Sequence, residues 1–508
     1  MLQSHKIMEN ERKDAEAPKQ GEDLLTKTIG AIGKWQIWIC FVVFLVKFPV
    51  AWHQMSIIFL APPMNFTCAD NHSAGEFDNV CHENCTDYMY DHNIFHETII
   101  SQWNLVCDRA WLKNLTQTIF MLGILVGNMV FGHLSDRYGR RIPFLGAVFL
   151  QLISGVTTAY SVNWYMFTAL RFLLAVATGG TMVTSFVLTM ELIGAKYRDT
   201  VGIIYQIPFN LGHLSLPVFG YFLRDWNMFQ LAISLPSVLF LSYYFLLPES
   251  PRWLLTAGKT EEAAKIMEIA AKRNNRPVDN IEAIVDQARN EMIKNNQQQT
   301  GSYQDLFKTP KVRFYTCVTS FIWMFCSLIF FGVNQYIGQL QGNLYLNVMI
   351  SAACLVPAVG LVVLGTIYLK RRTTILTSFS IAGVSLLVFI FVEQRTLILA
   401  FAIIGQIGAY SSFILVYLFT SEVFPTIVRN SALGFASMFG RCGGFVAPFV
   451  VNIGIEWVSI IVFSILAFAS ALLCRLLPET KDITLLNTIE QTEKCDDDIE
   501  PQIVPKVQ

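Results

Sequence analysis

Glu191-Leu192-Ile193-Gly194-Ala195-Lys196-Tyr197-Arg198 lies between two apolar runs. Its pattern returns 231 residues later as Glu422-Val423-Phe424-Pro425-Thr426-Ile427-Val428-Arg429. Other marks repeat with it. Arg140-Arg141 recurs as Arg371-Arg372 at the same offset, and Pro248-Glu249-Ser250 recurs as Pro478-Glu479-Thr480 after 230 residues. Polar marks that repeat at a fixed offset between apolar spans imply a duplicated membrane protein. Two such halves around a central cavity are the build expected of a secondary transporter.

The composition agrees. The chain is 53% hydrophobic and 15% charged, against about 25% charge in ordinary soluble domains. A net charge of -1 gives no basis for a nucleic-acid partner. About twelve apolar runs reach the ~20 residues a span needs, at roughly 35–61, 115–133, 143–161, 164–188, 201–223, 228–247, 314–336, 345–369, 374–392, 396–420, 431–455 and 457–477. The chain is therefore expected to be an all-α protein of the lipid bilayer.

Lys and Arg fix the orientation. Segments 136–141, 195–198, 248–313 and 369–372 are basic and fall on alternate sides of the spans, which makes that side the cytosol. Both tails are expected there. The first 34 residues are polar and do not read as a cleaved signal, so the first span would act as the signal. The opposite side carries the 62–112 loop, with eight carboxylates and one arginine, Arg109. That loop holds sequons at Asn65, Asn71 and Asn84, expected to carry glycans. It also holds four cysteines: Cys68, Cys81, Cys85 and Cys107. An even set in an extracellular segment suggests two disulfides with three possible pairings. The expected location is the plasma membrane.

The domain reading is a tail over 1–34, a six-span bundle over 35–247 that includes the outer loop, a cytosolic segment over 248–313, a second bundle over 314–477 and a tail over 478–508. Residues 254–295 read as soluble helix, with Ile266, Ile269 and Ala270 at helical spacing, placed to brace the two halves. Asp496-Asp497-Asp498 lie in the final polar tail. Ala257-Gly258-Lys259-Thr260 resembles the end of a phosphate loop, but Trp253 stands where that motif needs a glycine. ATP-driven pumping is not expected. No cofactor or metal pattern is present, no residue pattern names a coupling ion, and no enzyme activity is expected.

Gly132-His133-Leu134-Ser135-Asp136-Arg137-Tyr138-Gly139-Arg140-Arg141 resembles the loop signature of the major facilitator superfamily. Pro248-Glu249-Ser250-Pro251-Arg252-Trp253 resembles the sequence after the sixth span in its sugar and organic-ion branches. Trp103-Asn104-Leu105-Val106-Cys107-Asp108-Arg109-Ala110-Trp111-Leu112 and Gly342-Asn343-Leu344-Tyr345-Leu346-Asn347 are more specific. With the cysteine-bearing loop, they make the chain similar to the organic cation, organic anion and carnitine transporters, the solute carrier family 22 type. The resemblance covers nearly the whole chain and implies two pseudo-symmetric six-helix bundles that alternate access to a central site. The chain departs from the pattern in places. Leu364–Arg372 keeps the basic pair but lacks the aspartate and the motif's glycines, and the outer loop has four cysteines where many members have six. Asymmetric cytosolic gating and a smaller outer domain would follow.

Ionisable residues inside spans are costly and usually face a cavity. Arg441 lies ~15 Å into the eleventh span and Lys47 ~18 Å into the first, by helical rise. Both are near the midplane, without an evident carboxylate partner, and suit an anionic group. The family resemblance adds that the position of Arg441, two before Gly443-Gly444, tends to be Asp in cation carriers and Arg in anion and carnitine carriers. The acidic position before Pro357-Ala358 is Leu355, and the lysine of anion carriers would fall near Val359. Lys47 is the candidate for the missing positive charge.

Further pocket candidates are Tyr205, Gln206, Asn210, Trp323, Phe330, Asn334, Gln335 and Gln406, with Phe325, Phe331 and Tyr336 as wall aromatics able to hold an ammonium by cation–π attraction. His213 is a satisfied buried histidine or a proton-coupling group. Arg171 reads as structural. Asp136, Arg137, Arg140, Arg141, Glu191, Arg198, Glu422 and Arg429 form an expected inner gate of charge pairs between the halves, made when the cavity opens outward. The expected substrate is a small organic anion or a carnitine-like zwitterion. The alternatives are an organic cation and, from another class, a transport-inactive sensor or scaffold.

Overall fold

A computed structural model of the chain describes residues 24–69, 77–82, 85, 87–278, 280–296, 303–340, 342–425, 427–453, 456–481 and 489–494. Asn71, Asn84, residues 1–23 and Asp496-Asp497-Asp498 lie outside the described residues.

Eleven described helices are long and apolar enough to cross a membrane: Lys34–Leu60, Cys107–Tyr138, Arg141–Thr158, Trp164–Leu192, Trp226–Leu246, Pro310–Ile337, Leu344–Tyr368, Arg371–Phe389, Arg395–Val423, Ser431–Val451 and Trp457–Arg475. The fifth span is built from two shorter helices, Arg198–Ile204 and Ile207–Phe222. Pro208 explains the break, because it has no N–H to give the carbonyl of Ile204. The first span is interrupted in the same way. It runs as Lys34–Leu45 and then Lys47–Met55, with Pro49 unable to donate to Leu45. The chain is a multi-pass membrane protein, and the spans tie together in one apolar core that includes Phe120 and Phe229 from the first half and Phe330 and Phe379 from the second.

At one end of the bundle, β1 (Phe66–Cys68) pairs antiparallel with β2 (Tyr88–Tyr90). Disulfides Cys68–Cys85 and Cys81–Cys107 close this outer loop. Asn65 is exposed there. The loop docks on the first half: the Trp226 indole N–H donates to Gln102 Oε1 at 2.7 Å, and the Trp103 ring lies 5.4 Å from that of Trp226.

At the basic end, residues 254–295 form three helices rather than one: Pro251–Thr256, Thr260–Arg273 and Ile281–Asn296. Gly258, at φ +80, ends the first, and Asn274-Asn275-Arg276-Pro277 separates the others. Their buried face is Ala263, Met267, Ala270, Ala271, Val285 and Ala288, packed with Ile29, Trp35 and Ile39 of the first half. Ile269 is exposed, so the apolar stripe is turned from the expected one. Asn274 fixes the dock, accepting from Trp35 N–H at 2.9 Å and donating to Gln36 Oε1 at 2.7 Å. The described packing of these helices is on the first half, where a brace between halves was expected.

Candidate functional site

The two proline-linked breaks place the central residues. Lys47 opens the helix after the first break, and Tyr205 ends the helix before the second. Lys47 is buried, at 3% exposure, with its Nζ 3.9 Å from the Tyr205 ring centroid. The Tyr205 hydroxyl is fixed by Ser185 Oγ at 2.5 Å, and Phe44 and Phe186 pack on its ring. Gln206, at the break itself, is half-buried. An ammonium over a ring face gains cation–π attraction.

Arg441 comes from the other half, on Ser431–Val451. Gly443 sets how near that helix lies to the seventh span, because a Cβ there would sit 2.0 Å from the Met324 carbonyl oxygen. Only glycine permits that approach. Arg441 is half-buried, and its charge reaches both Lys47 and Tyr417. Among the described residues, neither Lys47 nor Arg441 makes an ion pair with a carboxylate. Two like charges from opposite halves thus act on each other, and among the described residues no carboxylate pairs with either.

An aromatic ribbon runs beside them. Trp323 lies 4.2 Å from Tyr417 by ring centroids, Tyr417 lies 5.8 Å from Phe413, Phe413 stacks on Phe330 at 5.2 Å, and Phe330 lies 5.4 Å from Tyr410. The Trp323 indole is held by Thr420 at 2.9 Å. Asn210 Nδ2 donates to Tyr410 Oη at 2.8 Å and joins the ribbon to the first half. Tyr410, Phe413 and Tyr417 were missed by sequence reasoning. Their i, i+3, i+7 spacing on the tenth span was the available signal.

Other candidates stand elsewhere. Asn334 and Gln335 line a small space with Gln54, Gln117 and Met121, towards the loop end. Gln406 accepts from Ser351 Oγ at 2.5 Å inside the second half. Tyr336 packs on Phe389, and Phe325 pairs with exposed Phe321. Leu355 and Val359 are buried. His213 is fully buried, and neither ring nitrogen has a hydrogen-bond partner among the described residues, so it is not the satisfied histidine considered from sequence. Arg171 is fully buried over the Phe120 ring and donates to Ser56 Oγ at 3.0 Å.

The halves meet at the loop end. Asn452 Nδ2 donates to Asn114 Oδ1 at 2.8 Å, and Thr118 Oγ1 donates to the Phe445 carbonyl at 3.0 Å. Tyr345 stacks on Phe59 at 5.9 Å and meets Tyr221 edge-on at 5.6 Å.

At the basic end the pairs shown for the expected gate residues lie within one half. Arg140 pairs with Glu191 at 2.7 Å and Asp136 at 2.6 Å, and Arg371 pairs with Glu422 at 3.2 Å. Burial pulls the Arg140 pKa down, but the two carboxylates outweigh it and hold it above its usual value. Arg198 donates to the carbonyls of Met190 and Ile193, and Arg429 to that of Phe424. The Arg137 guanidinium lies over the Tyr138 ring and that of Arg141 over Tyr244. Glu249 caps the Gly139 turn by accepting from the backbone N–H of Arg140 at 2.7 Å and of Arg141 at 3.2 Å. Glu479 does the same for Arg372 at 3.3 Å. The expected pairs between halves belong to an outward-open state, whereas the loop end is closed here.

The family model for sugar (and other) transporters matches residues 39–491. An organic cation transporter protein of Drosophila melanogaster is 36% identical over 418 residues, 80% of this chain and 76% of the relative. Solute carrier family 22 member 3 of Rattus norvegicus is 38% identical, over 78% of this chain and 72% of the relative. Organic cation/carnitine transporter 2 of Homo sapiens is 33% identical, over 80% and 74%. Among solved structures, the inward-open xylose transporter XylE from E. coli superposes with a TM-score of 0.66 at 16% identity, covering 90% of this chain and 99% of that one.

Proposed function

The chain belongs to the organic cation, organic anion and carnitine transporters of solute carrier family 22, and on that premise we propose that it carries a small amphiphilic organic anion, or a zwitterion of the carnitine type, across the plasma membrane by alternating access. One observation carries the choice of charge. The charges of Lys47 and Arg441 act on each other from opposite halves, with no carboxylate paired to either among the described residues. Buried charge without a partner is expensive, and an anionic substrate supplies the partner. The ribbon from Trp323 to Tyr410 offers faces for an apolar body or an ammonium head.

The second reading is an organic cation. The same ribbon favours it, as do relatives named for organic cation transport. An added cation would meet two positive charges with no carboxylate to offset them. At an effective dielectric near 20, each contact at ~4 Å costs about 4 kcal/mol before screening.

Uptake in oocytes decides between them. Labelled carnitine, an aromatic carboxylate and a quaternary amine are measured on wild type and on Arg441→Asp. Loss of carboxylate or carnitine uptake in the variant supports the reading. A wild type that prefers the amine refutes it.

A further inference from the structure

A cavity of about 1380 Å³ lies at the loop end, and neither Lys47 nor Arg441 lines it. Its walls come from the outer loop and from both halves. Lys113 and Asn114 reach it from the start of the second span, Gln339 and Asn452 from the ends of the seventh and eleventh, and Glu393 and Arg395 from the turn between the ninth and tenth. Trp111 and Trp457 add ring faces. The volume exceeds the roughly 300–1,000 Å³ of ordinary small-molecule pockets, so it has room for a drug-sized molecule and water.

The charge on its walls leans positive. Lys113 and Arg395 are cations, and Glu393 is the one carboxylate among the described lining residues. Lys113 is half-buried, and among the described residues it makes no hydrogen bond or ion pair. The adjacent residue, Asn114, takes the bond from Asn452 that joins the halves, and Gln339 Nε2 donates to the same Asn452 at 3.0 Å. The unpaired cation therefore stands beside the latch of the outer gate.

We propose that this cavity is a second binding site, for an amphiphilic organic anion whose carboxylate pairs with Lys113, and that its occupancy holds the outer gate closed. The ring faces of Trp111 and Trp457 take the apolar body. Because the walls belong to both halves, a molecule bound between them favours the state in which they are together. The site uses its own cation, so it stands apart from the reading of the central site.

The test is equilibrium binding of labelled 1-naphthoate to the full chain in phosphatidylcholine nanodiscs. Wild type is expected to show two sites. Lys113→Gln is expected to weaken one of them at least tenfold and to keep the Arg441-dependent one, which also shows that the variant is folded. Lys113→Arg is expected to restore the outer site, and Arg441→Asp to retain it. A Lys113→Gln protein that binds at both sites as wild type does overturns the proposal, as does equal binding of the neutral 1-naphthamide at the outer site. Displacement of naphthoate by phosphatidylglycerol in the disc assigns the cavity to a lipid headgroup and also overturns it. If Arg441→Asp leaves two sites while Lys113→Gln leaves one, the central reading fails and this one stands.

Discussion

Gly139→Ala is expected to destabilise the first half of the protein by about 3–4 kcal/mol. Gly139 has φ +100, and a Cβ there would lie 2.4 Å from Glu249 Oε2. The backbone region is essentially reserved for glycine and costs another residue about 1–3 kcal/mol. The displaced carboxylate also loosens its bonds to the Arg140 and Arg141 amides. Hydrogen bonds to a charged group are worth about 1.5–3 kcal/mol each, and partial exposure keeps this loss near the lower figure. For a unit of about 200 residues, each kcal/mol moves the midpoint by about 2–4 °C, so the apparent Tm should fall by about 6–16 °C. The assay is heating of detergent-solubilised protein at a fixed rate, followed by size-exclusion chromatography of what remains. An internal control exists. Lys370, before the matching arginine pair of the second half, has φ -71. Lys370→Ala should stay within about 0.5 kcal/mol. A Gly139→Ala protein as stable as Lys370→Ala would refute the assignment of strain and capping to this turn.

Three further outcomes are expected. Tyr205→Leu removes the ring under Lys47, and loss of about 1–2 kcal/mol of cation–π attraction should raise KM for the carried anion several-fold. Unchanged uptake kinetics would separate Lys47 from the substrate. Asn452→Ala removes the bonds to Asn114 and Gln339, each worth about 1 kcal/mol. A cysteine placed at Thr118 should then react faster with an impermeant maleimide added on the loop side, and an unchanged rate would show that the latch does not restrain opening. Replacing both Cys68 and Cys85 by Ala opens a disulfide of sequence separation 17, worth about 3 kcal/mol. Surface expression at 37 °C should fall, and normal expression would show that Cys81–Cys107 and the docking on Trp226 suffice to hold the outer loop.

What was legible in the sequence was whatever repeats or is expensive. The spans were legible because a bilayer demands continuous apolar length. The duplicated marks were legible because Arg140 with Glu191 and Arg371 with Glu422 recur at one spacing. Lys47 and Arg441 stood out because a charge deep in an apolar run needs a reason. The helix breaks were not read. An apolar run meets the length rule whether or not Pro49 or Pro208 interrupts it, yet those prolines are what bring Lys47 and Tyr205 together. The three helices over 254–295 were merged because Ala, Glu and Lys keep a helical pattern across Gly258 and Asn274. The capping of the Arg140 amide by Glu249 spans 109 residues, a separation at which no local pattern acts. The same holds for the cavity beside Lys113, whose walls are assembled from spans that are neighbours only in space.

The two ends of the molecule close by different physics, and that difference bears on how a gate at the basic end would move. The loop end is joined by neutral groups: Asn114 with Asn452, Thr118 with a carbonyl, and the rings of Phe59, Tyr221 and Tyr345. Opening it exposes those groups to water, which replaces their bonds at small net cost. At the basic end Arg140 already holds two carboxylates of its own half. Drawing the halves together there does not create charge pairs from free ions. It would exchange partners among residues that already compensate one another. Breaking such a pair outright costs several kcal/mol, because a charge is left without compensation, whereas an exchange keeps each charge compensated and leaves only a small difference between the states. A difference of a few kcal/mol is the size that substrate binding can overcome in moving a two-state equilibrium. An inner gate made of Asp136, Arg140, Glu191 and their second-half counterparts would therefore be poised by exchange, and its balance would respond to ionic strength in a way that the neutral latch at the loop end does not.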